Sequence, residues 1–339
     1  MPEPPVFLVG VDTEADDQWT VEGRTRLLVR NASCLPRLQA VCDRHGVRPT
    51  YLVTFEMATK PEAADVLREL LAGGACEIGA HLHPWSSPPY RRDDAVAGRY
   101  PNELPDELLE RQMRELTEAI EAQFGARPAS YRAGRHGFDA RGLGHLAGLG
   151  YAVDTSVDPL FNETRIGGPK FAGAPVGPYH PDPERILRPG RSPVLEVPVS
   201  AATLPILPKR LERLYASLSP PRWRGPLKRL GLRPAWLRPS YSPVPDAIAL
   251  ADALVARGVP TLNMLFHSSE LLPGGSPYHR DAASVNRFFD NFERVVEHIT
   301  GRLGGVGMTC REFAAAMGRD EGGHPIQMTS SSPGTSTRA

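Results

Sequence analysis

The sequence predicts an α/β protein, an irregular (β/α)7-8 barrel of parallel strands, and three observations predict it. Short β-branched runs alternate with stretches of helical period along most of the chain. A helix between two strands lets the second run parallel to the first, so repetition of that unit builds a parallel sheet. The units are numerous enough for such a sheet to close on itself. With 339 residues and 41% hydrophobic composition, the chain has the apolar content for one large core.

The strands are read in order as "VFLVGVD" (6–12), "TYLVTF" (50–55), "CEIGAHLH" (76–83), "SYRAG" (130–134), "YAVDTS" (151–156), "VLEVPVS" (194–200), "PTLNMLFH" (260–267) and "GVGMTC" (305–310). Helical period is carried by 105–125, 246–258 and 284–304, where apolar residues recur at spacings of three and four. No internal repeat interrupts the series, and residues 1–319 are read as one barrel domain. Two regions fall outside it. Residues 205–243 form a Pro/Arg-rich insertion holding Lys209, Arg210, Arg213, Arg222, Arg224, Lys228, Arg229, Arg233 and Arg238 against the single acid Glu212, with Trp223 and Trp236 interleaved. Such a run is either a solvated excursion or a contact surface for anionic glycan or membrane headgroups. The tail, 320–339, is rich in Ser, Thr, Pro and Gly and is expected to be disordered.

Composition narrows the function. Lys plus Arg and Asp plus Glu both total 39, so no net charge favours nucleic acid as a partner. "MPEPPVFLVGVD" lacks a basic segment leading into an apolar signal region, and no apolar run reaches the roughly 18 residues of a membrane span, so the expectation is a cytoplasmic protein. The four cysteines form no Cys-x-x-Cys pair and are expected to be reduced thiols.

In a barrel the reacting groups gather at the carboxyl ends of the strands, so each strand is read for its ending. The first ends "VDTEADD", and alternation puts Asp12 and Glu14 on one face. That pair is either two carboxylates aimed at one centre or an acidic strand-to-helix turn. The third ends "GAHLHPW", where His81 and His83 share a side and Pro84 stops the strand. Two imidazoles near a carboxylate suit zinc or a similar divalent ion, although strand-end histidines also serve as hydrogen-bonded structure. The fourth brings Arg132, Arg135 and His136, and a guanidinium there can orient a carboxylate or an oxyanion, or simply form an ion pair. The fifth supplies Asp154, Ser156 and Asp158, and the seventh delivers a single histidine, His267, a possible general acid.

The ordered set "VDTEAD", "EIGAHLHPW", "SYRAGRHGFD", "YAVDTSVDP" and "LFHSSEL" resembles the motifs of the polysaccharide deacetylase family, the NodB-homology enzymes, over roughly residues 6–317. Two departures mark a divergent subgroup. The family's first motif has adjacent aspartates, whereas Thr13 separates Asp12 from Glu14; its histidines usually have three residues between them, whereas only His83 is available to follow His81. The resemblance implies a metal-dependent hydrolase removing an N-acetyl group from an amino sugar, with a polysaccharide, oligosaccharide or lipid-linked saccharide as partner. It implies Asp12 as base, His267 as the acid that protonates the amine, and Glu14, His81 and His83 as metal ligands, with Asp16 a rival to Glu14. By the same implication Arg132 orients Asp12 or a neighbouring carboxylate, and Asp154 pairs with His267. Zinc is expected from the ligand types, and cobalt and nickel fit them as well. Trp19, Trp85 and Tyr131 either offer flat surfaces to a sugar ring or pack the core and rim. The alternatives are a hydrolase of a small amide such as an aminosugar nucleotide, and a glycan-binding protein without catalysis.

Overall fold

The computed structural model describes residues 3–90, 92–207, 211 and 232–318. Ten strands run in chain order: β1 (Val6–Thr13), β2 (Thr50–Val53), β3 (Glu77–Leu82), β4 (Ser130–Ala133), β5 (Val153–Asp154), β6 (Leu195–Glu196), β7 (Ala201–Leu204), β8 (Arg233–Trp236), β9 (Thr261–His267) and β10 (Val306–Gly307). All eight strands read from the sequence are present, and every pairing among them is parallel. β1 lies between β9 and β2, with β10 against its first two residues, and the sheet continues through β3, β4 and β5 to β6.

The curled sheet has no ladder between β6 and β9, which makes the barrel irregular. The chain after β6 and the chain after β8 fill the gap instead. Ser200 N donates to Asn263 O (3.0 Å), Leu237 N to Ser200 O (2.9 Å) and Leu265 N to Leu237 O (3.0 Å). β7 and β8 pair as an antiparallel ribbon on the flanks of the insertion. The insertion read at 205–243 lies mostly outside the described residues, as does the tail from 320, so neither the solvated excursion nor the contact surface read there is placed.

Period two along β1 divides the apolar residues between two cores. Phe7, Val9 and Val11 join the large core between sheet and helices, whereas Leu8 meets Val153, Leu195, Val197, Cys310 and Phe313 inside the base of the barrel. The helix Cys310–Met317 closes that base, and Thr309 caps it by accepting from Glu312 N (3.2 Å). Burying Phe313 there stabilises the closure by roughly 1.5–3 kcal/mol.

The long helices form where the period predicts. Asp106–Phe124 buries Leu109, Met113, Leu116 and Ile120 and stops at Gly125, whose φ of 75° lies in the left-handed region. Ala282–Glu297 starts at Asp281, which accepts from Ser284 N (2.7 Å), and turns Phe288, Phe289 and Phe292 inward. No helix of the described residues is long and apolar enough to cross a membrane.

Candidate metal centre and catalytic cleft

The strand register brings the predicted residues together. Asp12 is opposite His267 on neighbouring strands and His81 is opposite Arg132, so each pair shares a face. Glu14 follows the last residue of β1 and His83 the last of β3, both at the carboxyl end of the barrel.

Glu14, His81 and His83 are buried, and their ligand atoms all lie within 4.8 Å of one another. Glu14 Oε2 is 2.8 Å from His83 Nε2 and 3.7 Å from His81 Nε2. Ligands bound at about 2.0–2.1 Å in a tetrahedron sit roughly 3.4 Å apart, so these separations fit a single ion. His81 Nδ1 is 2.9 Å from Arg132 O, a carbonyl that can only accept, so Nδ1 carries the proton and Nε2 is left with its lone pair towards Glu14. His83 is oriented by packing: its ring stacks on Trp85 at 4.2 Å and lies over Gly134. A Cβ on residue 134 would come within 2.3 Å of His83 Nδ1 and 2.5 Å of Leu82 O, so only glycine fits. Burial lowers the His83 imidazole to about 4, which keeps it neutral and fit for ligation near pH 7. The His81 imidazole is shifted the other way, since Asp12 and Glu14 outweigh its burial.

Asp16 lies outside the cluster of Glu14, His81 and His83. Its carboxylate accepts from Arg30 Nε (2.7 Å), Asn31 N (3.1 Å) and Asn31 Nδ2 (2.7 Å), and the acidic loop is folded around those contacts.

Asp12 is held from inside the barrel. Arg132 is fully buried and donates through Nη1 to Asp12 Oδ1 (2.5 Å), while its Nε donates to Thr155 O (3.0 Å). Burial alone would raise the Asp12 carboxyl, but Arg132, His81 and His267 outweigh it and lower the group to about 2, so Asp12 is ionised at neutral pH. The other oxygen, Oδ2, faces the cleft at 4.0 Å from His81 Nε2 and 3.9 Å from His267 Nε2.

His267 does not pair with Asp154. Asp154 accepts from Ser156 Oγ (2.6 Å) and shares a buried carboxyl pair with Glu196 on β6; burial there lifts both above their ordinary values. His267 takes Glu270 instead: Nδ1 donates to Glu270 Oε1 at 2.6 Å, and the same oxygen accepts from His267 N (3.1 Å). Arg238 Nη2 donates to Glu270 Oε1 (3.3 Å), and Ser240 Oγ hydrogen-bonds Glu270 Oε2. The fifth strand points its acid into a polar knot of the barrel wall, whereas the turn after β9 brings Glu270 back onto the ring. The spacing His-x-x-Glu at a strand-to-helix turn is a capping pattern, and that signal was present in "HSSE". Arg238 and Ser240 carry no local signal, because the helix Val244–Ala256 and most of β9 separate them in sequence from His267.

Two lobes meet over these groups. One, of about 290 Å³, is lined by Glu14, His81, His83, Trp85, Arg24 and Arg135; the other, of about 460 Å³, by Asp12, His136, Asp158, Trp236, Arg238 and Tyr278. Trp19, Arg135 and His267 line both. Trp19 stands edge-on to His267 at 5.1 Å, so it and Trp85 are at the cleft, while Tyr131 belongs to the core. Ser156 Oγ accepts from Ala133 N (2.8 Å) and serves the wall, and Asp158, raised to about 6 by burial, accepts from Trp236 Nε1 (2.9 Å).

No protein-family profile matches the sequence, and no curated protein matches it. Solved structures do. A protein from Parabacteroides distasonis, provisionally named a glycoside hydrolase/deacetylase, is similar with a TM-score of 0.59 at 14% identity, over 94% of this chain and 73% of that one. The 4-alpha-glucanotransferase of Thermococcus litoralis gives 0.50 at 13% identity, over 92% of this chain and 40% of that one. A protein from Mycobacterium smegmatis, provisionally named a polysaccharide deacetylase, gives 0.49 at 16% identity, over 97% and 98% of the two chains. Identities this low establish a shared barrel and leave the chemistry to the side chains.

Proposed function

We propose that this chain, built on the NodB-like fold of carbohydrate deacetylases, is a metal-dependent hydrolase that removes an N-acetyl group from an amino sugar. One observation carries the reading: a compact Glu14, His81 and His83 donor set faces the same cleft as Asp12 and His267. The glucanotransferase shares the barrel, so the fold alone would not choose this chemistry.

Glu14, His81 and His83 would hold a divalent ion, which would supply Lewis acidity to the amide carbonyl and to the attacking water, and zinc suits the two nitrogens and one oxygen. Asp12 Oδ2, ionised and turned to the cleft, takes the proton from that water as general base. Arg132 fixes Asp12 through Oδ1 and leaves Oδ2 for this work. His267 Nε2 lies across the cleft from Asp12 and protonates the departing amine, while Glu270 holds Nδ1 and fixes the direction of the ring. Proton acceptor and proton donor are therefore separate groups, each oriented by its own buried partner. Trp19, half-buried at the rim, offers a flat apolar surface for a saccharide, the partner this reading implies, whereas Trp85 is covered by His83 and Arg24.

Acetate release from N-acetylglucosamine oligomers tests the proposal. It is expected in the presence of zinc, abolished by a chelator and restored by zinc, cobalt or nickel. Release that persists after complete metal removal refutes the metal-dependent reading.

A further inference from the structure

Two arginines outside the proposed catalytic set meet in the smaller lobe. Arg24 comes from the helix Val21–Arg26 and Arg135 from the end of β4, and both converge on Gly98. A Cβ on Gly98 would lie 3.3 Å from Arg135 Nη1, 3.4 Å from Arg24 Cζ and 3.5 Å from Arg24 Nη2, so the two guanidinia face one backbone position. Like charges that meet this way are ordinarily separated by a carboxylate. Among the described residues neither forms an ion pair. Arg24 spends Nε on Ala95 O (2.7 Å) and Nη1 on the carbonyls of Gln18 (3.1 Å) and Trp19 (3.2 Å). Arg135 donates to Gly98 O and, at 2.9 Å, to Tyr100 Oη. All of these acceptors are neutral. Of the nearby acids, Asp17 accepts from Thr20 Oγ1 (2.7 Å) and reaches Arg24 only through space, Asp94 pairs with Arg99 (2.9 Å), and Glu14 serves the histidines.

The pair is also built to stay in place. Arg135 packs over the Tyr100 ring at 3.9 Å and Arg24 lies over Trp85 at 5.6 Å, which supports the guanidinium planes. Arg135 and His136 both adopt left-handed backbone angles, φ 53° and 60°, a conformation costly for side chains of this size. Burial and the like charge of Arg135 lower the Arg24 guanidinium from its ordinary value, and Asp17 offsets them only in part.

We propose that this wall binds an oxyanion carried by the sugar, a carboxylate or a phosphate, between Arg24 and Arg135. The inference rests on the deacetylase reading and narrows its substrate to acidic or phosphorylated amino sugars. The guanidinium N–H groups that those carbonyl and hydroxyl acceptors leave over would donate to the anion from both sides, and the donor set of Glu14, His81 and His83 lines the same lobe.

Calorimetric titration of the full chain with three probes tests it. N-acetylglucosamine 6-phosphate represents phosphate, a disaccharide of N-acetylglucosamine and glucuronate represents carboxylate, and diacetylchitobiose is the neutral control. One or both anionic probes are expected to bind at least about tenfold tighter than the neutral one, with the preference falling as salt rises; the tighter of the two identifies the anion. Arg135→Gln and Arg24→Gln should each cost the preferred anionic probe about tenfold more affinity than the neutral one, the usual strength of a charge-assisted hydrogen bond. Equal binding of all three probes by the wild type, or equal losses in the variants, overturns the proposal. Should a variant fail to fold, the wild-type preference and its salt dependence decide alone. Anionic preference without acetate release from any probe would refute the deacetylase reading and leave the anion site standing.

Discussion

Glu270→Gln removes one charge from the centre of a buried network while keeping its shape. In the wild type, burial works against the Glu270 carboxylate, yet Arg238 and His267 lower it from 4.5 to about 2. At about 1.4 kcal/mol for each pH unit, that corresponds to about 3 kcal/mol of stability near neutral pH. The side chain is fully buried, so solvent does not screen this interaction. The sign follows from the depressed value. The contribution is complete above the unfolded value of 4.5 and is lost as pH falls from there towards 2. Urea unfolding of wild type and variant between pH 7 and pH 3.5 measures it: a gap of about 3 kcal/mol at pH 7 should narrow steadily below pH 4.5. The variant should also lose activity by about tenfold or more, because His267 Nδ1 then lacks the carboxylate that orients its ring. A gap below about 1 kcal/mol, or one that does not change with pH, would refute the reasoning.

Two further substitutions separate ligands from scaffolding. Gly134→Ala places a methyl group against His83 Nδ1 and Leu82 O; it should cost about 1–3 kcal/mol by overpacking and weaken zinc binding, as read from thermal melts and metal titration. Asp16→Asn should keep the metal stoichiometry of the wild type, since that carboxylate serves Arg30 and Asn31, whereas Glu14→Gln should lower zinc affinity by tenfold or more.

What could be read in advance follows the physics of the elements. β1, β3 and β9 are long enough for period two to show, so the shared faces of Asp12 with Glu14 and of His81 with His83 were legible before any coordinates. The ribbon of β7 and β8 was not, because Pro234 sits inside one strand and a long insertion parts the two. The partner of His267 was misassigned to Asp154 because strand order suggests proximity without fixing where a carboxylate points. Glu270 was visible as a capping residue, whereas the approach of Arg238 depends on the path of residues 205–243, which no local pattern encodes. The convergence of Arg24 and Arg135 on Gly98 is likewise a tertiary event between three segments distant in sequence.

The central claim is that Glu14, His81 and His83 hold a metal ion. Plasma mass spectrometry on protein purified without chelator or nickel resin, beside His83→Ala, tests it most directly. The structure predicts about one equivalent of divalent metal per chain in the wild type and its loss in the variant. A wild type that stays empty after zinc is added, or a variant that retains a full equivalent, would contradict the account.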